Sequence, residues 1–155
     1  MKPYIFAFIG TGNVRNRKAV LNSLLELMEG LCFDGDPIHY PVFYCGGYGE
    51  FSQLVSEAID FARKRKPYLY SEKLFISPYN TPSYMNQIRY VKDFYDKILY
   101  PPLENVPEEL AISRRNEWMI DQCNMLVVHL WYPLGDTRKS VEYAIRTEKD
   151  ILYIK

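Results

Sequence analysis

The residues best suited to chemistry in this 155-residue chain sit in three glycine turns. They are Gly10-Thr11-Gly12-Asn13, Gly46-Gly47-Tyr48-Gly49-Glu50 and Gly135-Asp136-Thr137. Glycine lets a backbone turn sharply and approach a ligand closely, and successive amide N–H groups can form an anion-binding concavity. The second turn is the most specific local signal in the chain. The first has Arg15 where a dinucleotide fingerprint would carry its third glycine, and a tight strand-to-helix turn explains it equally well. Glu50 and Asp136 each directly follow a glycine. A carboxylate there caps its own helix or, because it would repel phosphate, takes a ribose hydroxyl. Arg115, beside Asn116 near a helix start, offers a planar fork for phosphate. As a plain surface cation it would be poorly placed against the helix dipole.

Short apolar strands must position these turns. Tyr4–Ile9 runs into the first turn, Pro41–Cys45 into the second, and Lys73–Pro78 into Pro78-Tyr79-Asn80. Asn124–Trp131 is nearly continuous in apolar residues and too short to span a membrane, which is the pattern of a central parallel strand. Asp150–Lys155 forms a last short strand. Helical spacing is predicted from about Asn16 to Leu31, from the second turn to about Arg65, and after Gly135 through Val141, Ala144 and Ile145. Tyr84, Ile88, Val91 and Tyr95 point to another helix before Pro101-Pro102, and Ser113 is placed to cap the helix that carries Arg115. Strand–helix alternation predicts an α/β fold: one doubly wound, mostly parallel sheet with helices on both faces. Residues 1–155 read as a single Rossmann-like domain, without linker or low-complexity tract. If the first strand lies between the second and the central one, the three turns converge on a single rim of the sheet.

Composition bounds the partners. Hydrophobic content of 48% and charged content of 25% are those of an ordinary globular chain. Nineteen basic residues balance 19 acidic ones, which argues against nucleic acid as a partner, since nonspecific binding neutralises many phosphates. The basic run Arg63–Lys66 sits at a predicted helix end, where cations suit the dipole. The 14 tyrosines fit a wet pocket, a subunit interface or an ordinary surface. Cys32, Cys45 and Cys123 have no paired metal spacing, and His39 and His129 add no zinc pattern, so no metal site and no cofactor is indicated. The N-terminus has no signal-peptide layout and the chain no membrane span, so a cytoplasmic location is expected.

The order of these motifs resembles the SLOG superfamily, the Rossmann-like group of the Smf/DprA DNA-processing proteins and the Lonely-Guy hydrolases, and within it the YpsA-like branch. Thr11-Gly12-Asn13-Val14-Arg15 loosely meets a Thr-Gly-x-Arg turn. Gly46-Gly47-Tyr48-Gly49-Glu50 approximates Gly-Gly-x-x-Gly-x-Asp, with one spacer fewer and Glu for Asp. Pro78-Tyr79 follows the third strand, Arg115-Asn116-Glu117-Trp118-Met119-Ile120-Asp121 precedes the central one, and Gly135-Asp136-Thr137 closes the pattern.

The resemblance implies a nucleotide or nucleotide-derived small molecule over the glycine turns, bound by Gly10, Thr11, Gly12, Asn13, Arg15, Gly46, Gly47, Gly49, Glu50, Pro78, Tyr79, Arg115, Asn116, Gly135, Asp136 and Thr137. Family dimers, with the tyrosine excess, point to a homodimer. In the hydrolases and in nucleoside deoxyribosyltransferases the catalytic Glu falls where this chain has Ser140, and Glu142 lies on another helix face. An oxocarbenium-like state needs a carboxylate, which serine cannot supply. The expected function is therefore a nucleotide-binding sensor or regulatory protein. The alternative is an N-glycoside hydrolase or transferase recruiting Glu50 or Asp136, with Arg115 on phosphate. A DNA-associated role is a third reading, opposed by the zero net charge.

Overall fold

The computed structural model describes residues 1–10, 12–47, 49–131 and 135–154. Its six strands are β1 (Lys2–Gly10), β2 (His39–Cys45), β3 (Glu72–Ile76), β4 (Lys97–Leu99), β5 (Met125–His129) and β6 (Asp150–Tyr153). They form one sheet in the order β4-β3-β2-β1-β5-β6, and every neighbouring pair is parallel. The order reverses at β1, whose Phe6 faces Phe43 of β2 on one side and Met125 of β5 on the other.

Parallel strands need crossover helices, and these cover both faces. On one face α1 (Arg17–Leu27) and α2 (Gly49–Arg65) bury Val20, Leu24, Leu54, Val55 and Ile59 against Phe6, Phe8, Phe43 and Val127. On the other, α4 (Ala111–Gln122) and α5 (Asp136–Arg146) bring Met119, Ile120, Val141 and Ala144 against Ala7, Ile9, Leu126 and Val128. Strand residues alternate between the two clusters, which is why β1 and β5 read as unbroken apolar runs. The short α3 (Pro82–Gln87) starts with Thr81, whose hydroxyl accepts from the Tyr84 amide at 3.3 Å.

Three local expectations are corrected. The first helix does not continue regularly to Leu31. At Met28–Cys32 it widens into a π-helical turn, which shifts the buried face by one residue, so that Cys32 is buried and Leu31 is 53% exposed. The helix expected through Tyr84–Tyr95 divides into α3 and a 3₁₀ turn at Arg89–Asp93, and the chain then enters the unexpected β4. Ser113 caps nothing, because a 3₁₀ turn at Glu108–Leu110 starts the helical path earlier and places Ser113 inside α4. The basic run stays at the end of α2: Arg63 pairs with Asp96 at 2.6 Å and Lys66 donates to the Phe33 carbonyl at 2.7 Å. Among the described residues no helix is long and apolar enough to cross a membrane.

Candidate functional site

Where the sheet order reverses, the carboxyl ends of β1, β2 and β5 open onto a cleft of about 370 Å³. Its walls come from all three glycine turns: Gly10 and Gly12 after β1, Gly46 and Gly49 after β2, and Gly135, Asp136 and Thr137 at the start of α5. Arg115 and Asn116 enter from the first turns of α4, and Ser52 from α2. A crevice at the strand carboxyl ends is where open α/β sheets take their ligands.

Close packing explains the glycines. A Cβ on Gly10 would lie 2.3 Å from Cδ2 of Phe51, and one on Gly47 2.0 Å from Cε2 of Phe75. Phe51 in turn stacks on His129 at 5.8 Å, whose Nδ1–H donates to the Ile154 carbonyl at 2.8 Å. Gly49 has φ +82°, and its Cβ would meet Gly12 Cα at 3.0 Å. Gly135, at φ +97°, precedes α5 with open space where a Cβ would stand. These turns therefore serve packing as well as ligand approach. Tyr132, Pro133 and Leu134, before Gly135, lie outside the described residues, as do Thr11 and Tyr48.

Arg115 is buried, at 6% exposure. Its Nη1 donates to the Ile76 carbonyl at 2.8 Å and to the Gly46 carbonyl at 3.4 Å, and its Nε donates to Asn116 Oδ1 at 2.9 Å. The guanidinium thus lies directly under Gly46 and joins the ends of β2 and β3 beside the cleft. It puts a fixed positive charge at the cleft wall in a partly water-excluded setting, which favours an anion.

The two acids have different places. Glu50 turns away from the cleft. Its Oε1 accepts from the Val14 amide at 2.7 Å and its Oε2 from Arg17 at 3.2 Å. The Val14 amide, followed by Arg17, holds its carboxyl below the ordinary range. Glu50 therefore caps the neighbouring β1–α1 loop, and its own amide donates to the Gly12 carbonyl at 2.8 Å. Asp136 is exposed on the cleft wall in the first turn of α5. Neither Asp136 nor Thr137 caps that helix, since Gly135 occupies the capping position. Ser140 is buried and donates to the Asp136 carbonyl at 2.9 Å.

Asn13, Arg15, Pro78 and Tyr79 do not line the cleft. The Asn13 carbonyl accepts from Trp131 Nε1 at 2.8 Å, and the Arg15 guanidinium lies 5.5 Å from the Trp131 ring centre. Pro78 is buried. Tyr79 packs edge-on against Tyr84 and donates its hydroxyl to the Glu108 carbonyl at 3.3 Å. Ser52 and Ile112 line the cleft without having been expected. Ser52 falls one turn into α2, where its place just after the glycine turn could have pointed to it, whereas Ile112 carries no chemical signal. Among the described residues no group of three or more His, Cys, Asp or Glu is placed to hold a metal.

No family model matches the sequence, and no curated protein matches it. Solved structures do. DNA processing protein A from Helicobacter pylori, whose structure is described for its unique single-stranded DNA binding mode, superposes at a TM-score of 0.63 with 15% identity. DNA processing protein A from Streptococcus pneumoniae superposes at 0.61 with 13% identity. Each likeness covers 98% of this chain but only 65% and 50% of the neighbours' own lengths. The fold is accordingly the Rossmann-like fold of the DNA-processing proteins, as the SLOG resemblance implied. The comparison overturns one expectation, that the partner is a small molecule and nucleic acid is disfavoured, because a neighbour of this fold binds single-stranded DNA. Net charge is a weak guide to partners because it sums the whole surface, whereas a cleft that takes one or two phosphates needs only local donors.

Proposed function

We propose that this protein binds single-stranded nucleic acid, with one nucleotide's phosphate and sugar seated in the cleft between the glycine turns. In this reading it acts in the cytoplasm as a sensor or regulatory module, resembling the YpsA-like branch, and cleaves no bond. The observation that supports it best is the meeting of the three turns beside the buried Arg115. Backbone amides and one guanidinium suit a phosphate, while Asp136 suits a sugar hydroxyl. Of the two candidate acids, Glu50 is engaged by Val14 and Arg17, and the Ser140 position holds no carboxylate. Both features favour binding over glycosidic cleavage.

Fluorescence anisotropy with a labelled single-stranded oligonucleotide, its duplex and a panel of nucleoside monophosphates tests the reading. Among the described residues nothing lies within 4 Å of a Cβ built on Gly12, which lines the cleft, so Gly12→Leu adds bulk at the cleft wall without disturbing the core. Saturable binding of the single strand, lost in Gly12→Leu at unchanged melting temperature, is expected. With only one or two phosphates engaged, the logarithmic salt slope should be shallow, about −0.7 to −1.4. Equal binding by Gly12→Leu overturns the proposal. Release of free base from a monophosphate, abolished by Asp136→Asn, would replace it with the glycosidase alternative.

A further inference from the structure

We infer that a groove beside the cleft, between α2 and the Arg89–Asp93 turn, is a nucleobase subsite. The inference rests on the proposed binding of a nucleotide in the cleft. The groove encloses about 360 Å³ and borders the cleft at Ser52, which lines both. Its two walls differ in kind. One is a polar stripe at helical spacing on α2, from Ser52 and Gln53 through Ser56 to Asp60; the other is aromatic, with Tyr90 and Phe94.

Tyr90 and Phe94 are 54% and 57% exposed, which for two neighbouring rings lining one groove leaves apolar faces available to a planar partner. A base has such a face, and its polar edge needs donors and acceptors of the kind the α2 stripe presents. The charges favour a base over a second phosphate. Glu57 pairs with Arg17 at 3.5 Å, and Asp60 pairs with the fully buried ammonium of Lys73 at 3.1 Å. The groove is thus close to neutral, with acceptor oxygens and, among the described residues lining it, no cation. A phosphate would meet two carboxylates there, whereas the amino edge of a base would meet acceptors.

The test compares wild-type protein with the Tyr90→Ala/Phe94→Ala double variant on three probes: a single-stranded oligonucleotide, the same backbone made of abasic deoxyribose phosphates, and a nucleoside monophosphate. Both side chains are exposed, so the fold survives, which circular dichroism checks. Stacking of one base on an aromatic platform corresponds to a loss of about tenfold or more on truncation. We expect that loss for the base-bearing strand and none for the abasic backbone. The same loss on the monophosphate also supports the subsite, with the base supplied by a free nucleotide. Unchanged affinity of the double variant for the base-bearing probes overturns the subsite but leaves the cleft reading standing. If wild type binds none of the probes, both fall.

Discussion

The Arg115 guanidinium spans two strand ends, reaching the Gly46 carbonyl at 3.4 Å and the Ile76 carbonyl at 2.8 Å. The cation most suited to a ligand phosphate is therefore also a structural tie at the cleft wall. A Cβ on Gly46 would stand 3.2 Å from its Nη2, so the glycine and the arginine define each other's place.

Arg115→Lys should separate these roles. A single ammonium cannot serve both carbonyls and Asn116 Oδ1, and each buried acceptor left unpaired costs about 1–3 kcal/mol. Urea unfolding should show a loss in that range, with weaker binding of a single strand. A variant as stable as wild type would mean that the tie carries no energy.

Gly10→Ala should destabilise through Phe51. The added Cβ would lie 2.3 Å from a ring that is 1% exposed, and overpacking of this kind costs about 1–3 kcal/mol. Pairing it with Phe51→Leu should recover part of the loss. A non-additive double-mutant cycle in urea confirms the contact, and strict additivity refutes it.

Glu50 predicts an acid-dependent loss. Its folded carboxyl lies below the ordinary value of 4.5, held there first by the Val14 amide. A depressed carboxylate stabilises fully above its unfolded value and loses that contribution as pH falls through the folded one. Wild type and Glu50→Gln should therefore differ at neutral pH and converge in acid, as thermal melts across that span would show. A gap constant with pH would rule out the ionised tie.

The three free thiols should stay silent in the native state. Burial pushes Cys45 up to about 12 and Cys123 to about 11, and raises Cys32 as well. Thiolate is the reactive form, so a thiol-specific chromogenic disulfide should label the protein only after denaturation. Prompt native labelling would contradict the burial.

Much of this architecture was legible because it is written locally. Unbroken apolar runs marked β1 and β5, and glycines marked the turns that follow the strands. β4 was hidden because its three residues are a strand only through pairing with β3, beginning at Leu74 opposite Lys97. Glu50 was visible as an acid beside a glycine, but its direction depends on the β1–α1 loop arriving at Val14. The groove was hidden for a similar reason: Gln53 and Phe94 meet only after packing. The zero net charge is a poor guide to partners because it averages the entire surface, and no single cleft need share that average.

The central position of β1 has a further consequence, for the newborn chain. Its first partner strand follows within a few dozen residues, but the second begins at Met125, opposite Phe6. Ala7 and Ile9 therefore emerge from synthesis long before β5 can shield that edge and α4 and α5 cover that face. Distant pairings of this sort slow folding and leave sticky intermediates. Truncation before Met125 should accordingly yield aggregates rather than a smaller stable protein.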